Sequence, residues 1–242
     1  IWIIQMTSLQ IKNLVLIVGG SSSVGEAVIN KFENAGCSVL TTYNKNKPVM
    51  KNSESHCMKL DLSDEDSIKA LADHLSVEDE PLGTAIFLSG ELPGNNLAAY
   101  ENSEIDSVMQ VNFNGQAKLI KAIQPSFSEN SHIIMMSSIS AQRGSFDPIY
   151  AAAKGAIISF VKSQARAMNG RPRINAIMPG LINDSTMFHD MAPEIQKRHI
   201  QDTAAGALLE LEDLGQIIFD LCQPHWISLN GACIPINGGS YV

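Results

Sequence analysis

The sequence predicts an α/β fold in which helices cover both faces of a doubly wound, seven-stranded parallel sheet. Seven predicted strands of four to six residues, of which 14–18 and 133–136 are continuous apolar runs, alternate with segments of helical periodicity. Such runs are short enough for strands buried on both faces, and alternation with helices is typical of parallel sheets. The chain has no repeat, low-complexity tract or linker. We therefore expect a single domain over residues 14–242.

Composition and charge narrow the classes of partner. The chain has 242 residues, 45% of them apolar, and a formal net charge of −8. An acidic protein without a Lys/Arg run is not expected to bind nucleic acid or an anionic membrane. The four cysteines show no C-x-x-C spacing and the six histidines no metal-ligand spacing. We expect no metal site and a reducing compartment, the cytoplasm.

The first residues stand apart from the predicted fold. The run Ile1–Gln5 precedes Met6. It is too short for a signal-peptide core or a membrane span, and it has no basic flank. We expect a cloning remnant or a misplaced start, and we treat residues 1–13 as an N-terminal extension.

A glycine-rich turn follows the first predicted strand, 14–18. It reads Gly19-Gly20-Ser21-Ser22-Ser23-Val24-Gly25, and a helix is predicted over 26–35. A strand, a glycine-rich turn and a helix together present backbone N–H groups to a phosphate. The spacing is not G-x-G-x-x-G, so a plain turn between strand and helix is the alternative.

The loop after the second predicted strand, 38–42, bears on the choice of cofactor. It reads Tyr43-Asn44-Lys45-Asn46-Lys47. At this place in a dinucleotide-binding sheet, a carboxylate binds the adenosine 2′-hydroxyl, whereas a basic side chain accommodates a 2′-phosphate. The missing carboxylate and the two lysines favour NADP(H), with NAD(H) as the alternative cofactor. A solvated basic loop is the structural alternative.

The third predicted strand, 56–60, ends in an acidic residue. Asp61-Leu62 follows it and is interpreted either as an adenine contact or as ordinary loop polarity. Ser63 is then predicted to cap the next helix, with Asp66 as a capping-box acid.

The fourth predicted strand, 84–88, leads into Ser89-Gly90. One long helix is predicted after it, over about 104–123. Asn112 lies inside this helix among apolar neighbours. A polar residue in that setting is expected to be functional or to kink the helix.

The fifth predicted strand, 133–136, leads to the residues with the clearest chemistry. It ends at a pair of serines, the second of which is Ser138, and a helix then opens with Tyr150 and carries Lys154 one turn later. Residues four apart share a helix face. A phenol has a pKa near 10 in water, and a lysine held close favours its anion. Serine, tyrosine and lysine together indicate proton transfer to or from an oxygen. A chance Y-x-x-x-K match is the alternative.

The sixth predicted strand, 173–178, ends at Pro179-Gly180. Residues 181–206 then interrupt the regular alternation of strands and helices. An insertion at the carboxyl end of a strand is where a substrate lid lies. Its apolar residues suit either a substrate pocket or a packed lid: Met187, Phe188 and Met191.

These motifs, in this order, resemble the classical short-chain dehydrogenases/reductases of the 3-oxoacyl-acyl-carrier-protein reductase type. The resemblance covers Leu14 to Gly239. The family's T-G-x-x-x-G-x-G turn matches Val18 to Gly25, and its Y-x-x-x-K matches Tyr150 and Lys154. The other matches are Asp61-Leu62, Asn112, Ser138, Pro179-Gly180 and Asn237-Gly238-Gly239.

The resemblance implies a Rossmann-type fold and an NADP(H)-dependent oxidoreductase. Such an enzyme transfers a hydride between nicotinamide and a carbonyl or secondary alcohol, here of the 3-oxoacyl-thioester or another ketone type. It also implies a homo-oligomer, a tetramer or a dimer. The implied cofactor-binding residues are Gly19, Ser21, Ser22, Ser23, Val24, Gly25, Tyr43, Asn44, Lys45, Asp61, Leu62, Ser89, Gly90, Tyr150, Lys154, Pro179, Gly180 and Ile182.

Four residues are implied as catalytic. Tyr150 is the proton donor or acceptor. Lys154 lowers the pKa of Tyr150 and holds the nicotinamide ribose. Ser138 donates a hydrogen bond to the substrate oxygen, and Asn112 anchors a water that passes the proton from Lys154 to solvent.

Three departures from the family pattern bear on cofactor affinity more than on chemistry. The N-A-G motif reads Leu88-Ser89-Gly90, so a polar support of the sheet and the cofactor is expected to be lost. Asp184 replaces the threonine that contacts the carboxamide, with Ser185 or Thr186 as a substitute. Ser23 replaces a glycine of the phosphate-binding turn.

The departures motivate a second functional class, a catalytically weak nucleotide-binding sensor or scaffold of the same fold. The complete Asn-Ser-Tyr-Lys set favours the enzyme. A sugar-nucleotide epimerase is disfavoured because no second substrate domain follows the sheet. An enoyl reductase is disfavoured because that group spaces its tyrosine and lysine more widely.

Overall fold

The computed structural model describes residues 14–241, so the expectations for residues 1–13 lie outside the described residues. The strands are β1 (Leu14–Val18), β2 (Val39–Tyr43), β3 (His56–Lys59), β4 (Leu82–Phe87), β5 (Phe127–Met136), β6 (Arg173–Pro179) and β7 (Cys233–Ile236). They form one sheet in the order β3-β2-β1-β4-β5-β6-β7, and every neighbouring pair is parallel. The predicted seven-stranded, doubly wound sheet is confirmed.

Helices cover both faces of this sheet. They are α1 (Ser23–Asn34), α2 (Glu65–Ser76), α3 (Asn102–Met109), α4 (Gly115–Ile123), α5 (Ser140–Arg143), α6 (Pro148–Ala167), α7 (Thr186–His189), α8 (Pro193–Asp202) and α9 (Leu211–Leu221). Helices α2, α4 and α6 build the core on one face, and α1 and α9 build the core on the other. Alternate residues of β1 enter the two cores, as the period of a strand requires. Within residues 14–241 no helix is long and apolar enough to cross a bilayer.

The strand order reverses between β1 and β4. From β1 the chain continues to β2 on one side of the sheet, whereas β4 begins the run toward β7 on the other. Because the strands are parallel, their carboxyl ends share one edge, and a crevice opens there where the order reverses. The glycine turn follows β1 at this point, and Ser89 lies across from it after β4.

The helix predicted over 104–123 is interrupted. It begins at Asn102, and a π turn over Gln110–Asn114 separates α3 from α4. A π turn adds one residue to the helical circuit without ending the helix, and such turns occur frequently at functional sites. Asn112 lies in the middle of the turn and is fully buried. The alternative that this asparagine distorts the helix is thus supported.

Helix starts differ from the prediction at three further places. Asp64, not Ser63, caps α2, because the Asp61 carboxylate accepts hydrogen bonds from both the N–H and the hydroxyl of Ser63 and holds it in the preceding turn. Helix α1 begins at Ser23 instead of residue 26. Helix α6 begins at Pro148, two residues before the predicted start, because proline suits the first turn of a helix.

The segment 181–206 follows the carboxyl end of β6 and contains α7 and α8. Its two ends are tied to the domain. Ile182 forms a parallel bridge with Leu209, and the N–H of Ala205 donates to the carbonyl of Gly238 over 2.9 Å. This location agrees with the prediction of a lid, whose role stays a prediction.

Candidate active site

The turn after β1 is closely packed against β2 and β4. The N–H of Gly19 donates to the hydroxyl of Thr42 over 3.2 Å, and the N–H of Gly20 donates to its carbonyl over 2.9 Å. Gly19 has a φ of +96°, and a methyl group there would lie 2.8 Å from the Ser89 nitrogen. A side chain at this position is excluded both by conformation and by space. The turn therefore requires glycine for structural reasons.

The first turn of α1 suits a phosphate group. Ser22 is the N-cap, and its hydroxyl accepts a hydrogen bond from the Gly25 N–H over 3.0 Å. The N–H groups at the start of a helix have no acceptor inside the helix, and the helix dipole adds partial positive charge there. Ser21 is exposed beside this turn. The residues therefore fit the pyrophosphate of a dinucleotide.

Ser23, which replaces a family glycine, is the first residue of α1. Its hydroxyl oxygen is buried and has no hydrogen-bond partner among the described residues. Val24, the next residue, is buried in the core beside α1. The Ser23 side chain thus points inward without a partner of its own.

The basic loop after β2 lies next to the glycine turn, because β1 and β2 are neighbours in the sheet. Tyr43 is half-buried at the end of β2. The four residues that follow are exposed: Asn44, Lys45, Asn46 and Lys47. Residues 44–47 carry two lysines and no carboxylate, so their charge suits an anionic group.

Asp61 and Leu62 follow β3, one strand further out. The hydrogen bonds from Ser63 hold the pKa of the Asp61 carboxyl below its usual range, so the group is ionised at neutral pH. The Leu62 side chain is buried, and its carbonyl accepts a hydrogen bond from Gln110 Nε2 over 2.9 Å. The Asp61 carboxylate thus already accepts hydrogen bonds within its own turn, and its contact with adenine stays a prediction.

A residue outside the motifs gives polar support at the end of β4, where Leu88 replaces the polar residue of the family motif. Leu88 itself is buried in the core. The side chain of Gln116, from α4, donates to the carbonyl of Ser89 over 2.9 Å and to that of Val111 over 3.2 Å. Sequence reasoning missed Gln116, because it belongs to no motif.

Asn112 and Lys154 converge on Gly90. A methyl group built on Gly90 would lie 2.8 Å from Asn112 Oδ1 and 3.2 Å from Lys154 Nζ. Asn112 Nδ2 donates to the carbonyls of Glu91 and Val108. Its Oδ1 is buried and has no partner among the described residues. The asparagine thus presents an acceptor oxygen on the side of the lysine.

Lys154 is fully enclosed on α6. Its ammonium donates to the carbonyl of Met136 over 2.9 Å, and its own carbonyl accepts from the hydroxyl of Ser137 over 2.7 Å. Burial lowers the pKa of Lys154 from 10.5 to about 8, so the side chain is mostly protonated at pH 7. Its Nζ lies 5.7 Å from the centre of the Tyr150 ring. The predicted pairing of these two residues on one helix face is present.

The pKa of the Tyr150 phenol differs from the expectation. Burial raises it above 10, a hydrogen bond with Ser138 partly opposes this, and the charge of Asp147 adds to it. We expected Lys154 to lower this pKa, but its ammonium is directed to the Met136 carbonyl and loss of hydration dominates. In this structure Tyr150 is therefore a protonated phenol at neutral pH.

Ser138 lies at the carboxyl end of β5 beside Tyr150. Its hydroxyl oxygen accepts a hydrogen bond from the N–H of Ser140 over 3.1 Å. This bond leaves the hydroxyl proton available for donation. Ser138 and Tyr150 hydroxyls therefore form a pair of potential donors at one site.

The residues after β6 border the same edge of the sheet. The carbonyl of Pro179 accepts from the N–H of Ile139, and the N–H of Gly180 donates to the carbonyl of Ile236 over 3.0 Å. Ile182 is buried, and its carbonyl accepts from the Ser185 hydroxyl over 2.8 Å.

The exposure and the hydrogen bonds of three neighbouring residues indicate which side chain is available to replace the missing threonine. Asp184 is exposed and has a φ of +53°. The Ser185 hydroxyl caps α7 by accepting from the Phe188 N–H over 3.1 Å. Thr186 is exposed as the first residue of α7.

The chain matches known proteins over nearly its whole length. A family model of short-chain dehydrogenases, described as enoyl-(acyl carrier protein) reductase, matches residues 18–241. The 3-oxoacyl-acyl-carrier-protein reductase FabG of Pseudomonas aeruginosa is 26% identical over 243 residues and covers 94% of this chain and 96% of its own. The protein of the same name from Vibrio cholerae is 24% identical over 236 residues, covering 94% and 96%.

Solved structures share the fold. A short-chain dehydrogenase/reductase of Brucella melitensis, titled glucose/ribitol dehydrogenase, superposes with a TM-score of 0.88 at 21% identity, covering 95% of this chain and 97% of its own. One from Serratia marcescens has a TM-score of 0.88 at 22% identity, covering 97% and 99%. With the family model spanning residues 18–241, these findings identify the protein: the chain belongs to the short-chain dehydrogenase/reductase family of oxidoreductases.

Proposed function

We propose that this oxidoreductase is an NADP(H)-dependent ketone reductase and that 3-oxoacyl thioesters are its substrate class. The observation that carries the proposal is the arrangement of Ser138, Tyr150 and Lys154 beside a turn that suits a dinucleotide pyrophosphate. The FabG relatives, named for 3-oxoacyl-acyl-carrier-protein reduction, support the substrate class.

Two protein side chains supply the proton and the charge stabilisation that reduction of a carbonyl requires. Bound nicotinamide supplies the hydride. The Tyr150 phenol, which is protonated at neutral pH, gives its proton to the substrate oxygen. The Ser138 hydroxyl donates to the same oxygen and stabilises the negative charge that develops there.

Lys154 and Asn112 restore the proton. The Lys154 ammonium donates to the Met136 carbonyl and has further N–H donors for the ribose hydroxyls. The unpaired Oδ1 of Asn112, directed toward Gly90 beside this ammonium, is suited to anchor a water that leads the proton to solvent.

The NADP(H) preference rests on Lys45 and Lys47. Both are exposed on the loop after β2, beside the glycine turn. Two cations and no carboxylate favour a 2′-phosphate over a bare 2′-hydroxyl. A cytoplasmic location and a homo-oligomeric state, tetramer or dimer, stay predictions from the sequence and its resemblance.

An enoyl thioester reductase is the second candidate, because the matching family model carries that description. The Tyr150–Lys154 spacing of one helical turn favours the ketone reductase. A nucleotide-binding sensor with little turnover is the third. Ser23 and Asp184, which depart from the family pattern, motivate it.

A titration with NADPH and NADH, followed by fluorescence, tests the proposal first. Micromolar NADPH binding, much tighter than NADH, is expected. Purified protein is then assayed with NADPH on a ketone, an acetoacetyl thioester and a 2-enoyl thioester. Turnover of the acetoacetyl thioester supports the proposal, and turnover of only the enoyl thioester replaces it by the second candidate. Nucleotide binding without any turnover favours the sensor.

A further inference from the structure

A buried carboxylate outside the family motifs joins the catalytic helix to a distant loop. Asp147 is 2% exposed and is the N-cap of α6. Its Oδ1 accepts a hydrogen bond from the Tyr150 N–H over 2.9 Å. Its Oδ2 accepts from the Gly94 N–H over 3.0 Å and from the Tyr100 hydroxyl over 2.6 Å. One side chain thus bonds the backbone of Tyr150 and two points, Gly94 and Tyr100, of the loop between β4 and α3.

Three hydrogen bonds satisfy the buried Asp147 side chain. A buried charge is costly unless donors replace its hydration. Two backbone N–H groups and a phenol do so here, and bonds to an ionised acceptor are stronger than neutral ones. Burial and the hydrogen bond to Asp147 raise the pKa of Tyr100, so its hydroxyl stays a donor at any physiological pH.

The loop depends on Asp147 for its position. Among the described residues, the hydrogen bonds from 92–100 to the rest of the chain end on this carboxylate. Most of the loop is exposed. It leaves the sheet directly after Gly90, which contacts Lys154 and Asn112. The loop therefore borders the space in front of the catalytic side chains.

We propose that Asp147 is a positioning residue of the reductase, which holds the 92–100 loop against the first turn of α6 as one wall of the substrate site. The wall orients the substrate carbonyl toward Tyr150. This inference rests on the proposed ketone reduction. Because Gly94 and Tyr100, the loop residues that Asp147 holds, are not among the cofactor-binding residues, we expect loss of the wall to change substrate binding and to leave NADPH binding unaffected.

Two variants separate loop attachment from helix capping. Tyr100→Phe removes one loop bond and leaves the cap of α6 intact. Asp147→Ser keeps a hydroxyl that caps a helix well but is too short to reach the loop as the carboxylate does. Asp64→Ser, the same change at the exposed N-cap of α2, is the matched control.

The assay is NADPH-dependent reduction of an acetoacetyl thioester. We expect the KM for the thioester to rise about tenfold in Tyr100→Phe and further in Asp147→Ser, since each lost hydrogen bond to a charge weakens the wall. The Kd for NADPH should stay within about twofold, as for a site that is not touched. Asp64→Ser should match the wild type in KM.

Amide hydrogen exchange of residues 92–100 gives a readout that needs no substrate. We expect faster exchange at Gly94 in Tyr100→Phe, with unchanged exchange in α6. An unchanged KM, or unchanged exchange in the loop, overturns the proposal. So does a parallel loss of NADPH affinity and thermal stability that accounts for the KM. A wild-type protein that reduces no ketone refutes the proposed function instead. Amide hydrogen exchange in residues 92–100 then still tests whether Asp147 holds the loop.

Discussion

The side chain of Gln116 donates a hydrogen bond to the carbonyl of Ser89 over 2.9 Å and thereby connects α4 to the end of β4. Gln116 is fully buried. Its Nε2 also reaches the carbonyl of Val111 inside the π turn. One amide group thus fixes the strand end beside the glycine turn and the helical turn that presents Asn112.

Replacing Gln116 by leucine removes both donors while keeping a side chain of similar bulk. Two half-buried carbonyls lose a hydrogen-bond donor, and we expect the free energy of unfolding to fall by about 1–3 kcal/mol. NADPH affinity should also decrease, because Ser89 packs against Gly19 of the turn. Thermal unfolding and a fluorescence titration measure the two effects.

Gln216→Leu is the control for this prediction. Gln216 donates to Asp220 over 2.8 Å on the exposed side of α9. We expect its unfolding free energy to change by less than about 0.5 kcal/mol, the usual range for surface positions. A Gln116→Leu protein as stable as this control would contradict the assigned support of Ser89.

The joint replacement of Lys45 and Lys47 by alanine tests the cofactor preference. The 2′-phosphate of NADPH loses two cationic neighbours in this variant, whereas the uncharged 2′-hydroxyl of NADH loses no ionic partner. We expect the Kd for NADPH to rise about tenfold, equivalent to about 1.4 kcal/mol, and the Kd for NADH to change little. Titrations of both nucleotides at one ionic strength measure this.

Lys69→Ala with Lys118→Ala removes the same charge at exposed ion pairs with Asp73 and Glu65. This double variant should bind NADPH like the wild type. If the Lys45/Lys47 variant loses equal affinity for NADPH and NADH, the loop does not recognise the 2′-phosphate.

His132 makes stability depend on pH. It is buried, and its Nε2 lies 2.8 Å from Asn175 Nδ2, which also donates to the Leu229 carbonyl. Burial lowers the pKa of His132 from 6.5 to about 3. Below pH 6.5 His132 becomes protonated in the unfolded chain, whereas in the folded chain it stays neutral down to about pH 3. The free energy of unfolding therefore falls as pH falls through this window. From pH 7 to pH 5 the loss is about 2 kcal/mol.

His132→Gln keeps an acceptor for Asn175 and does not titrate. Urea unfolding at pH 7 and pH 5 should show a smaller loss in this variant than in the wild type. His56→Gln, at an exposed position, should retain the wild-type pH dependence. Parallel pH curves for the wild type and His132→Gln would exclude His132 as the origin.

The strands and the motif residues could be predicted from the sequence because the patterns that indicate them are local. A strand buried on both faces is a continuous apolar run, and β1 was predicted with its observed bounds, Leu14–Val18. In β5 the prediction began at Ile133, whereas the strand begins at Phe127, because its first half is polar and is held by pairing with β4. Tyr150 and Lys154 were recognised because helical spacing alone puts them together.

The residues that sequence reasoning missed act through contacts between distant segments. Gln116 meets Ser89 across 27 positions, and Asp147 meets Gly94 across 53. Neither belongs to a spacing pattern. The predicted direction of the Tyr150 pKa shift is also wrong. The shift depends on burial, and the spacing of Tyr150 and Lys154 in the sequence does not reveal how deeply the phenol is buried.

Reduction of an acetoacetyl thioester by NADPH, measured side by side in the wild type and in Tyr150→Phe, tests the central claim most directly. Phenylalanine keeps the ring and removes only the hydroxyl that gives the proton. We expect turnover by the wild type, a decrease of about 10³-fold in the variant, and NADPH binding within about twofold of the wild type. A Tyr150→Phe protein that binds NADPH and turns over at the wild-type rate would contradict the account.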